Sequence, residues 1–79
     1  MNNKKPNTGE IWQHYKTKGE YEIINTGRLQ VKESTLDMAE CVIYKALTDN
    51  TIWIRPIHDF MEEVTIEGGA TCYRFTKVR

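Results

Sequence analysis

The run Thr51-Ile52-Trp53-Ile54-Arg55-Pro56 alternates two β-branched side chains with an indole and a guanidinium, then stops at a residue that has no N–H. Successive side chains of a β-strand leave opposite faces, so this period is that of a strand. Pro56 ends the ladder because it cannot donate to a neighbour. On this reading Ile52 and Ile54 enter a core, while Trp53 and Arg55 look away from it and build a binding surface.

Short runs of the same kind recur along the chain. Over residues 10–16, Ile11 and Tyr15 fall on one face and Trp12 and His14 on the other. Thr17-Lys18-Gly19 makes a turn, with Gly19 available for positive φ. Tyr21 and Ile23 share a face of a second strand over residues 20–25, and Asn25-Thr26-Gly27 signals a turn or bulge. Leu29 and Val31 resume the alternation past that bend. Residues 33–39 read as a loop or a single turn. Cys41-Val42-Ile43-Tyr44 is apolar on both faces, as a central strand should be, within a strand over residues 40–47. Thr48-Asp49-Asn50-Thr51 is the polar turn of a hairpin that joins it to the next strand.

Beyond Pro56 the period changes. Ile57, Phe60 and Val64 sit at helical spacing and predict a turn or two of helix with one apolar stripe. Gly68-Gly69 is a flexible turn, and residues 71–78 form a last strand. The sum is a mostly β fold: a small SH3-like β-barrel of five to six short strands with a short helical turn before the last one. Closure suits a chain of 79 residues, which has little else with which to cover its sheet edges. Residues 1–8 read as a flexible tail and residues 9–79 as one domain.

Composition narrows the function classes. A chain 39% hydrophobic and 28% charged fits a soluble folded domain rather than a disordered one. No apolar run approaches the roughly 20 residues of a membrane span. The basic start, Met1 to Pro6, lacks the apolar segment of a secretory signal, so a cytoplasmic location and no membrane partner are expected. Eleven basic residues cancel eleven acidic ones, which argues against nucleic acid as a partner because that grip needs a basic face. Cys41 and Cys72 form no CxxC pair and no zinc-type spacing, and are expected to be reduced thiols acting as small apolar groups. His14 and His58 are the only histidines and bring no ligand set with them, so no metal or cofactor is expected. His14 also lacks an oriented partner for base catalysis, and the adjacent Glu62 and Glu63 cannot both face one site. A non-enzyme follows.

His14-Tyr15-Lys16, Tyr21, Val42-Ile43-Tyr44, Trp53-Ile54-Arg55-Pro56 and Phe60 together resemble a family of small bacterial and phage domains of unknown function. Its members read roughly Gly-x-Tyr-x-His-Tyr-Lys-Gly-x-x-Tyr, then His-Ser-Glu-Thr, Val-Val-Tyr and Trp-Val-Arg-Pro-x-x-Met-Phe. Here Trp12 replaces the first Tyr, Asp59 replaces the Met, and Ser34-Thr35 stands for the polar loop without its His. The likeness covers most of residues 9–64. It implies a small β-rich domain and no established reaction.

The candidate ligand-binding residues are Trp12, His14, Tyr15, Tyr44, Trp53 and Arg55. Indole faces stack on planar groups, and a guanidinium binds phosphate or carboxylate. The leading expectation is a non-catalytic module for a small anionic ligand such as a nucleotide; in a phage protein it would sequester a nucleotide signal. One alternative is a protein-interaction or structural module that docks through Trp12 and Trp53. Another is single-stranded nucleic-acid binding, with Lys16, Lys18 and Arg28 on phosphates. A small barrel has little interior volume, which puts a site on its rim or at a subunit interface and leaves a homo-oligomer open.

Overall fold

In the computed structural model, which describes residues 4–32 and 34–79, the alternating runs become seven strands and one short helix. In chain order these are β1 (Ile11–His14), β2 (Glu20–Arg28), β3 (Glu40–Ala46), β4 (Ile52–Pro56), α1 (Ile57–Phe60), β5 (Glu63–Thr65), β6 (Thr71–Tyr73) and β7 (Phe75–Lys77). Five of them form one antiparallel sheet in the order β4-β3-β2-β1-β7, and β5 pairs with β6 as a separate hairpin.

The inner face of the sheet is set by β3. Val42, Tyr44 and Ala46 alternate onto it, and the register places Ile23 opposite Tyr44 and Tyr21 opposite Ala46. Trp12, Ile23, Val42, Tyr44, Phe60 and Phe75 make the core, each at most 3% exposed. The rings of Phe60 and Phe75 stack at 4.1 Å and 3°, and Trp12 meets Phe60 edge-on at 5.5 Å. The helix is a single turn that starts after Pro56, whose missing N–H costs a helix start nothing. Its service to the fold is to lower Phe60 onto the inner face.

The register inverts the expected facing of β4. Tyr44 lies opposite Trp53 and Val42 opposite Arg55, so Trp53 and Arg55 are on the face that carries the core. Ile52 and Ile54 face outward, 51% and 64% exposed. A one-residue shift in pairing turns a whole strand over, and here the hairpin with β3 fixes the parity against the hydrophobicity of β4.

The mostly β class with antiparallel sheets holds. Among the described residues, however, no ladder joins β4 to β7, so the sheet is not closed into a barrel. The segment after α1 pairs with itself as β5 and β6, which leaves β7 a three-residue edge. The two edges still approach: the Arg55 guanidinium lies 5.8 Å from the centroid of the Phe75 ring. The expected last strand splits at Arg74, since β6 pairs with β5 while β7 pairs with β1. Val64, expected on the helix, belongs to β5. Gly27 lies inside β2, whose irregularity falls between Ile23 and Asn25, and Leu29 and Val31 lie beyond the strand. In the first hairpin Lys18, not Gly19, takes the positive φ.

Of the expected tail, residues 1–3 lie outside the described residues; Pro6 is buried and Lys5 bridges Glu40 at 3.1 Å. Glu33, at the start of the expected loop, also lies outside them. Cys41 and Cys72 are free thiols. Among the described residues no helix is long and apolar enough to cross a membrane.

Candidate functional site

Where the two edges approach, the inner face ends in a cavity of about 130 Å³ lined by His14, Thr17, Tyr21, Tyr44, Trp53, Arg55 and Phe75. Buried Tyr44 and Phe75 are core members, so the site shares a wall with the hydrophobic core. Trp53 is half exposed and forms an outer wall. Each position follows from the ladder. His14 is paired with Phe75 across β1 and β7, and their rings meet edge-on at 5.1 Å. Tyr21 touches both Tyr44 and Phe75 edge-on, at 5.3 and 5.7 Å.

The polar groups are oriented by their neighbours. Arg55 Nε donates to the Tyr44 hydroxyl at 3.2 Å, which leaves that hydroxyl its own proton to give. Thr17 Oγ1 accepts from the Gly19 N–H at 3.2 Å and likewise keeps its proton. His14 Nδ1 accepts from the Lys16 N–H at 3.2 Å, so the neutral ring carries its proton on Nε2. Burial first, then the charges of Arg55, Arg74 and Lys16, hold the His14 pKa below the ordinary histidine value.

Charge balance is uneven around this cavity. Among the described residues no carboxylate lines it and none lies within salt-bridge distance of Arg55. Arg74 is engaged elsewhere: it pairs with Glu62 at 3.0 Å and donates to the Asp59 carbonyl at 2.6 Å. Among the described residues no group of three or more His, Cys, Asp or Glu gathers as a metal site.

Four of the six expected residues therefore meet in one place: His14, Tyr44, Trp53 and Arg55. Trp12 does not. It shares the inner face but is 1% exposed under Phe60, and its Nε1 donates to Glu10 at 3.0 Å. Trp12 and Trp53 thus share no surface. Tyr15 is not a lining residue either; its ring sits beside His14, with centroids 5.0 Å apart, and its N–H donates to the Arg74 carbonyl at 2.9 Å. Thr17, Tyr21 and Phe75 went unnoticed as site residues. Tyr21 carried a usable signal, a strand aromatic on the same face as Ile23. Phe75 carried none, because its neighbours depend on the pairing of β7 with β1. Of the residues expected on phosphates, Arg28 lines a second, apolar groove on the outer face with Gly27, Leu29, Cys41, Ile43 and Ile54.

Fold and site together define a small antiparallel-sheet domain with an aromatic, arginine-bearing cavity at the seam of its sheet. A family model matches residues 10–77, from before the first lining residue to past the last. The chain belongs to the family described as Protein of unknown function (DUF1653). No curated protein and no solved structure matches the chain.

Proposed function

We propose that the domain is a non-catalytic binding module that seats an anionic group in the cavity between β4 and β7. One observation carries this reading: His14, Thr17, Tyr21, Tyr44 and Arg55 each have a proton to donate, and among the described residues no lining side chain is a carboxylate. Several donors around a guanidinium that has no salt-bridge partner among the described residues suit an oxyanion. At about 130 Å³ the cavity holds one such group. It falls well below the roughly 300 Å³ at which small-molecule pockets begin, so the rest of a ligand lies outside. The half-exposed indole of Trp53 is the surface nearest at hand, and it stacks well on a planar base. A nucleotide with a phosphate inward and its base on Trp53 fits both features. In a phage protein the corresponding role is to sequester a nucleotide signal. On this reading the sheet is an SH3-like barrel opened between β4 and β7, and the opening is the site.

The test is a thermal-shift and calorimetric comparison of sulfate, phosphate, mononucleotides and cyclic dinucleotides. A ligand that binds only the folded chain raises the melting temperature. Nucleotides should raise it more than sulfate does, and Arg55→Ala should remove the rise. No rise with any of them, or a rise that Arg55→Ala leaves intact, overturns the proposal.

A further inference from the structure

Among the described residues, strand β4 ends the sheet with one side unpaired. The Ala46 N–H donates to the Thr51 carbonyl at 2.9 Å. The alternation of an antiparallel ladder then commits the backbone of residues 53 and 55 to β3 and turns the N–H and C=O of Ile52 and Ile54 outward. Natural edges are usually blunted by lysine, bulges or an overlying loop. Here Ile52, Trp53 and Ile54 stand in a row, each at least 51% exposed, with no charge among them.

We infer that β4 pairs with β4 of a second copy of this chain, antiparallel, about a two-fold axis centred on Trp53. The register follows from the neighbours. An axis at Ile54 sets Ile52 opposite Pro56, which has no N–H to give. An axis at Ile52 sets Ile54 opposite Asn50, which is held in a turn at φ 63° and is not extended. Only the axis at Trp53 sets Ile52 of each copy against Ile54 of the other and satisfies the outward groups of both. Thr51 then faces Arg55, so no like charges oppose each other.

Two further features fit this pairing. Ile52 of the second copy extends the apolar wall that Ile43 and Ile54 give to the outer groove. On the inner side the two Trp53 indoles come together, and a cavity too small for a whole nucleotide gains a second aromatic wall; this last step rests on the function proposed above. A single short strand buries less than the roughly 800 Å² per partner of a standard interface, so the dimer dissociates on dilution and tightens when a ligand touches both indoles.

Sedimentation velocity over micromolar to millimolar concentrations tests the pairing. The wild-type chain should pass from monomer to dimer, and Ile54→Lys should stay monomeric with its melting temperature unchanged. The double variant Ile52→Lys/Ile54→Glu should regain the dimer, because the register sets the new lysine of one copy against the new glutamate of the other. In a Cys72→Ser background, Trp53→Cys should oxidise to a linked dimer and Ile54→Cys should not. Facing residues at a non-hydrogen-bonded position lie about 4.5 Å apart at Cα, within disulfide reach. A wild-type chain that stays monomeric at millimolar concentration, or a dimer indifferent to Ile54→Lys, overturns the inference. A monomer that still binds nucleotide removes the dimer alone; a dimer that binds none removes the proposed ligand alone.

Discussion

Trp12 and Trp53 leave the same face of one sheet and meet opposite ends. Trp12 lies on β1, one strand in from an edge, roofed by Phe60 and tied to Glu10. Trp53 lies on β4, at the edge, beyond the reach of that roof and half open to solvent. Residue type is constant in this pair, so burial is decided by place in the sheet and by what α1 covers. The same face is a core at one end and the lining of an open cavity at the other. The transition between them runs through Tyr44 and Phe75, which belong to both.

The largest effect should separate the two tryptophans by stability. Trp12→Ala removes a fully buried ring and is expected to cost about 4 kcal/mol in chemical denaturation. Trp53→Ala removes a ring already half in water and is expected to cost less than about 1 kcal/mol. Equal losses would erase the distinction between core and surface drawn here. In binding the order should reverse, with Trp53→Ala weakening nucleotide affinity.

How much of this contrast was legible beforehand depends on what each level of pattern carries. Period-two alternation located β1, β2, β3 and β4 closely, because it is a local property of the backbone. It also placed Trp12 and His14 together on one face, and Trp53 and Arg55 on another. It could not tell which face is inner. That choice depends on register: Ile52 and Ile54 looked like core by composition, yet the pairing of Trp53 with Tyr44 turned them out. Phe75 and Thr17 escaped notice for a related reason. Phe75 reaches the site only because β7 returns beside β1, a contact some 60 residues apart in sequence that no local pattern encodes, and Thr17 lies in the turn that follows β1.

Arg55 sharpens the comparison next. Its guanidinium would be the main charge partner of a bound anion, in a site where no carboxylate of the described residues competes for it. Arg55→Ala should lower phosphate or nucleotide affinity more than tenfold, about 2 kcal/mol, as expected for a charge-assisted hydrogen bond. Arg55→Lys should recover little, since a point charge lacks the planar fork. Calorimetry measures both, and a full recovery by lysine would show that only net charge matters there.

Glu10 bears on the closed end. Burial pushes its carboxyl up, but the Asn7 N–H, the Trp12 indole N–H and the Lys77 ammonium together outweigh that and bring its pKa down to about 2. A folded-state value below the ordinary carboxylate range means that the stabilisation is complete above about 4.5 and is lost as pH falls toward 2. Glu10→Gln should cost about 1–2 kcal/mol at neutral pH, the scale of hydrogen bonds to a charged acceptor. Denaturation midpoints measured from pH 6 to pH 2 should fall less steeply in the variant than in the wild type. An identical slope would mean that the carboxylate does not hold Trp12 through its charge.

The smallest expected effect lies at the open end, where stability again falls with pH but anion affinity has the opposite sense. Burial and the charges of Arg55, Arg74 and Lys16 disfavour the imidazolium of His14 in the empty cavity. The unfolded chain protonates more readily, so this group removes stability as pH falls through and below the ordinary histidine value of 6.5. A bound anion reverses the balance locally, because a negative charge beside the ring favours its protonated form. Binding then takes up a proton, and affinity must rise as pH falls. Sulfate is the probe, since it stays a dianion across this range and its own titration cannot mimic the effect. Its affinity should increase several-fold, but less than tenfold, between pH 8 and pH 5.5, and His14→Asn should flatten the profile while keeping a donor in place. Affinity that is flat with pH in the wild type would place the anion away from His14 and confine the site to Arg55 and Trp53.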